Sequence, residues 1–197
     1  MKRLSSTAPQ VNAATGECPR FSGRVAYNFF DAEEGFFLAG TYLGAKKVLS
    51  LGFAYDVQPG VYGAHDNQHQ YWGLGGDIYL DLPMGRNRVS GQLDFVAYGG
   101  DTNPTRGKGF LFDLGYAIGK IEPLVAIDWY RVDSFLDSTG AAVNGFKKDL
   151  FGHHVGLNWW FQGHKANLKL DYGQIKSPGF SFGHSASVVT LQTQLYL

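Results

Sequence analysis

The chain of 197 residues holds a single cysteine, Cys18, which excludes an internal disulfide framework and any multi-cysteine metal site. It has no excess of either charge: 17 basic and 17 acidic side chains cancel, so nothing draws it electrostatically to nucleic acid. Charged residues make up only 17%, below the usual quarter. No apolar run approaches the ~18–20 residues of a membrane-spanning helix. Met1-Lys2-Arg3 is a basic start, but residues 4–20 are rich in Ser, Thr, Ala and Pro, with no apolar stretch to complete a signal peptide. The segment implies either a cytosolic chain or a true N-terminus lying further upstream.

What the chain does have is glycine, 27 residues and about twice ordinary usage, and aromatics at 15%. So aromatic a chain is expected to be folded rather than disordered. Residues 1–20 read as a flexible leader and 21–197 as one folded unit.

The apolar residues recur with period two. Leu49, Leu51, Phe53, Tyr55 and Val57 alternate with Ser50, Gly52, Ala54 and Asp56. The same alternation places Trp72, Leu74, Ile78 and Leu80 against Gly73, Asp77, Tyr79 and Asp81. It returns at 89–95, at 167–172 and at 189–197, and more weakly at 23–30, 36–43, 109–119, 121–131 and 150–161. Period two is the signature of half-buried strands, and no segment prefers a helix. Short turns at 44–47, 83–87, 119–122 and 163–165 alternate with longer loops at 58–70, 100–108, 133–149 and 177–186. About ten strands in an all-β, antiparallel up-and-down arrangement are expected.

The polar faces carry Asp, Asn, Gln and Ser, which fill a dry core poorly. This favours an inverted barrel, oily outside and wet inside. Aromatics near strand ends (Phe29-Phe30, Phe36-Phe37, Tyr71-Trp72, Trp129-Tyr130, Trp159-Trp160-Phe161) suit interfacial girdles. The expectation is therefore a transmembrane β-barrel, with a soluble β-sandwich or barrel as the alternative.

Three stretches carry a resemblance to a known family: Gly23-Arg24-Val25-Ala26-Tyr27-Asn28-Phe29-Phe30-Asp31 with Gly40-Thr41-Tyr42-Leu43-Gly44-Ala45-Lys46-Lys47-Val48-Leu49; residues 156–169, Gly156-Leu157-Asn158-Trp159-Trp160-Phe161 onward; and the final Leu191-Gln192-Thr193-Gln194-Leu195-Tyr196-Leu197. In these the chain resembles bacterial outer-membrane porins, specifically the C-terminal portion of the phosphate-selective porin O/P-like group. The resemblance implies about sixteen strands, a homotrimer, an outer-membrane location and lipid-bilayer surroundings. It also implies passive diffusion of ions and small hydrophilic solutes through a water-filled bore. Two departures stand out: the signal peptide and roughly the first third of the strands are missing, and Leu197 occupies the position where the family usually ends in Phe.

Projected inward, the polar faces offer Arg24, Arg88 and Lys169 against Asp56, Asp77, Asp81, Asp94, Asp113, Asp128 and Asp171. As a pore lining this set leans acidic, which favours unselective diffusion or a mild cation preference over phosphate selectivity. The competing assignment is a small non-conducting barrel that binds ligands or surfaces through its loops. Ten strands closed alone would leave a narrow bore.

No catalytic constellation emerges, and the chain is not expected to be an enzyme or to carry a cofactor. His153 and His154, near Asp149, point to opposite faces of a strand and cannot share one site. His65, Asp66 and His69 match no rigid metal-ligand spacing. Gly73, Gly75 and Gly76 match a dinucleotide fingerprint only in number, since no helix follows.

Overall fold

The computed structural model describes residues 19–32, 41–62, 69–100, 106–133, 148–176 and 185–195. Ten strands run in chain order: β1 (Phe21–Asn28), β2 (Val48–Tyr62), β3 (His69–Met84), β4 (Asn87–Gly100), β5 (Arg106–Ile118), β6 (Ile121–Asp133), β7 (Lys148–Trp159), β8 (Phe161–His164), β9 (Ala166–Lys176) and β10 (Ser185–Leu195). Nine of them form one antiparallel sheet in the order β1-β2-β3-β4-β5-β6-β7-β9-β10. The four-residue β8 stands outside that order. No helix occurs among the described residues, and none is long and apolar enough to cross a membrane. The weak strand expected at 36–43 falls largely outside the described residues.

Tight turns fix the register. Gly85, Gly119 and Gly163 take φ of 66°, 61° and 60°, the left-handed region that glycine enters without penalty. The register then runs almost without interruption, with one irregularity between Gln58 and Tyr62 on β2. It sorts the side chains as period two requires. Arg24, Gly52, Asp77, Asp94, Asp113, Asp128, His154, Asp171 and Thr190 fall on one face. Val25, Leu51, Phe53, Leu74, Phe95, Leu157, Leu170 and Leu191 fall on the other. The oily face is open over its whole breadth: Leu51 is 49% exposed, Phe53 50% and Leu191 67%.

The expected barrel is not formed; the sheet is open. Among the described residues β1 pairs only with β2, and β10 only with β9. Strand parity gives a physical reason. An up-and-down sheet closes antiparallel only with an even number of strands. Among the described residues the sheet has nine strands, because β8 takes no place in it, and β1 and β10 therefore run in the same direction. The strand expected at 36–43 lies largely outside those residues. The β6–β7 ladder ends at Trp160. Its N–H still donates to the Lys120 carbonyl at 2.8 Å, extending the β6–β7 ladder by one step, after which the chain leaves the ladder.

Closure carried the rest of the membrane reading. A hydrated bore needs a continuous wall, and hydrocarbon tolerates no open sheet edge. Passive diffusion through a pore, a bilayer-embedded trimer, an outer-membrane location, membership of a sixteen-stranded barrel and the alternative of a small non-conducting barrel all lose their structural basis.

The packed interior lies on the polar face, at the end of the short turns. Val48, Ser50, Asp81, Arg88, Ala117, Glu122, Trp160 and Asn167 are buried there. The segment entering β2 folds onto this end. The Thr41 hydroxyl donates to Asp81 Oδ2 at 2.8 Å, and the Tyr42 N–H donates to the same oxygen at 2.6 Å. Asp81 is fully buried, so a donor lost there is not replaced by water. Thr41→Val is expected to lower unfolding stability by about 1–3 kcal/mol, read as a shift of the denaturant midpoint at unchanged slope.

Candidate functional site

The cluster at the short-turn end is built around one guanidinium. Arg88 enters from the start of β4, one residue past the Gly85 turn strand pair, and is buried to 5% exposure. Its Nη2 donates to Glu122 Oε1 at 2.6 Å, and its Nε lies 3.7 Å from Asp81 Oδ1. Glu122 is saturated. Ser90 Oγ donates to Oε1 at 2.6 Å, while Trp160 Nε1 donates to Oε2 at 2.7 Å and Asn158 Nδ2 at 3.3 Å. Burial pushes the Glu122 carboxyl upward, but hydrogen bonds from Ser90, Arg88 and Trp160 together outweigh it and hold the group below the ordinary carboxylate range.

Beside this cluster the polar face opens into a recess of about 610 Å³. Thr41, Gln92, Asp113, Asn158, Lys169 and Gln194 are among its lining residues, so strands from β4 to β10 contribute to one concavity. Lys169 Nζ stands 5.3 Å from the centre of the Trp160 ring, a cation–π contact at the recess wall. Burial raises the Asp113 carboxyl, with Asp94 and Glu122 adding repulsion. Burial likewise raises Asp94, which the Gln92 amide partly offsets with a 2.5 Å hydrogen bond.

The residues expected to line a pore are all described, and they sit in separate local partnerships. Arg24 Nη2 donates to Asp77 Oδ1 at 2.8 Å, and Gly52 makes room for that pair, since a Cβ there would collide with both side chains. Arg88 belongs to the buried cluster, Asp113 lines the recess beside it, and Asp94 accepts from Gln92. Asp128 and Asp171 hold His154 between them, Nε2 at 3.2 Å from Asp128 and Nδ1 at 3.1 Å from Asp171. Asp56 pairs with Arg20 outside the set. His153 falls on the apolar face, opposite His154, as adjacent strand residues must. His65 and Asp66 lie outside the described residues. Among the described residues no group of three or more His, Cys, Asp or Glu is placed to hold a metal ion.

Two central members escaped the sequence reading. Glu122 sits in an apolar stretch, Ile121-Glu122-Pro123-Leu124-Val125, yet extending the parity of Asp128 back through Ala126 and Leu124 puts it on the polar face. Trp160, expected in an outward aromatic girdle, turns to the buried cluster, whereas its neighbour Trp159 is half exposed on the other face.

No protein family, no curated protein and no solved structure matches this chain. The likeness to phosphate-selective porins is therefore corrected on two counts: no comparison supports it, and the barrel that defines the group is absent.

Two substitutions test the cluster. Glu122→Gln leaves the buried Arg88 guanidinium with the more distant Asp81 as its remaining carboxylate and is expected to cost about 3 kcal/mol at neutral pH. The Glu122 contribution is complete above its unfolded value near 4.5 and fades as pH falls through the lower folded value. The variant should therefore flatten the acid limb of a stability–pH curve obtained by denaturant titration. Asp113 behaves oppositely. Its folded pKa lies above the unfolded 3.8, so the folded state binds more protons there and stability falls as pH rises through that window. Asp113→Asn should raise the neutral-pH denaturation midpoint and remove that decline.

Proposed function

We propose that the chain is a binding unit rather than an enzyme, and that the recess beside Glu122 takes a small, uncharged, polyhydroxylated solute of the carbohydrate class. The observation that carries this reading is the composition of the recess. Hydroxyl, amide and carboxyl groups from Thr41, Ser90, Gln92, Asn158 and Asp113 surround about 610 Å³, with the Trp160 indole at the wall. That volume is in the range of ligand sites, ~300–1,000 Å³. An amide carries two N–H donors and a carbonyl acceptor, so Gln92 and Asn158 can each give one N–H to Asp94 or Glu122 and still meet ligand hydroxyls, which both give and take a hydrogen bond.

Charge favours a neutral ligand. Arg88 neutralises Glu122, and the Asp113 carboxyl and the Lys169 ammonium, the latter over Trp160, line the recess with one charge of each sign. The non-catalytic part of the reading is supported by how the carboxylates are used. Both oxygens of Glu122 already accept hydrogen bonds from side chains, which leaves it a poor general base. His154 is likewise engaged at both ring nitrogens.

Titration with glucose, galactose, sucrose and maltose, followed by calorimetry and indole fluorescence, tests the proposal. At least one sugar should bind saturably. Trp160→Phe should remove the fluorescence change, and Gln92→Ala should weaken binding about tenfold. Absence of saturable binding by all four, or a signal that survives Trp160→Phe with unchanged affinity for Gln92→Ala, would overturn it.

A further inference from the structure

An open sheet has two outer edges, and in this molecule they differ in chemistry. The β1 edge is eight residues long, contains Gly23 and carries Arg24 near its middle, tied across to Asp77. Charge and brevity are what natural edges use against strand addition. β10 has neither. Its eleven residues, Ser185-Ala186-Ser187-Val188-Val189-Thr190-Leu191-Gln192-Thr193-Gln194-Leu195, include no charge, no proline and no glycine. All eleven pair with β9 in unbroken register, so no bulge twists the strand away. It is exposed almost throughout, with Val189 at 69%.

We infer that β10 is a self-pairing edge, at which two copies of this chain join antiparallel about a two-fold axis through Thr190. The chain's own β1 is not the natural complement, because it runs in the same direction as β10 and would have to pair parallel. A second copy turned by the two-fold presents β10 antiparallel to itself. Centring the pair on Thr190 engages the whole strand. Val189 then faces Leu191 of the other copy, Val188 faces Gln192, and Thr190 faces Thr190. Each apolar-face position meets an apolar-face position, whereas a slip of one residue would break that match. No like charges meet, since the strand is neutral, and the formal charge of the whole chain is zero. The dimer continues the sheet, keeps both polar recesses on one side, and satisfies the outward N–H and C=O groups of β10.

The test uses the full chain with Cys18→Ser, so that no native thiol contributes. Thr190→Cys places two sulfurs across the axis at a Cα separation of about 4.5–5.5 Å, within disulfide range. Mild oxidation should convert most of it to a covalent dimer, while Ser22→Cys on the β1 edge should remain monomeric. Independently, Thr190→Lys sets two ammonium groups face to face but leaves each near Asp171 of its own β9. Sedimentation should show a dimer for the parent chain and about fivefold or more weakening for this variant, with unchanged circular dichroism. A monomeric parent, cross-linking of Ser22→Cys as fast as of Thr190→Cys, or a dimer indifferent to Thr190→Lys would each overturn the inference.

Discussion

A guanidinium withdrawn from water is the constraint around which this molecule is arranged. Arg88 has Glu122 at hydrogen-bond distance and Asp81 just beyond it, and each carboxylate recruits further donors. Ser90, Asn158 and Trp160 serve Glu122; Thr41 and the Tyr42 backbone serve Asp81. Desolvating such ions costs several kcal/mol each, so removing any one partner is far more damaging than the pair is stabilising. The cluster draws on β3, β4, β6 and β7 together with the segments at Thr41 and Trp160, so its geometry requires those pieces to be in register simultaneously. Polarity here specifies position, a task that apolar packing performs in most interiors.

The apolar residues do the reverse of their usual duty. They form a continuous outward face, and the buried set is dominated by polar and small side chains. Period-two patterning says which residues share a face but not which face is enclosed. That decision falls to side-chain chemistry: a face able to assemble Asp81, Arg88, Glu122 and Asn167 into mutual contact can be buried, and a neutral face of Leu and Phe has no such positional demand.

Much of the sheet was legible in the sequence, for identifiable reasons. The antiparallel strands and their short turns follow from alternation and from glycines such as Gly85 and Gly119, whose positive φ the local sequence encodes. The sharing of one face by Arg24, Asp77, Asp94, Asp113, Asp128 and Asp171 follows from parity alone. Closure was not legible, because it depends on strand number: alternation counts ten strands with one at 36–43, whereas the described sheet has nine and that segment lies largely outside the described residues. The role of Glu122 was hidden by its apolar neighbours, and that of Trp160 by a doubled tryptophan whose two rings look alike in sequence and point opposite ways in the fold. Pairwise partners such as His154 with Asp128 and Asp171 lie on three strands and become neighbours only once register is known.

That imidazole clasp has a mechanical side. Antiparallel strands pulled apart from one end unzip bond by bond, each step being small. His154 ties β7 to β6 through Asp128 and to β9 through Asp171, placing a side-chain rivet partway along that seam. A tensile load applied to the β9–β10 hairpin meets the rivet before the hairpin can come away. The seam is thereby divided into a weak stretch and a tougher one, and a partly peeled sheet has a defined place to stop.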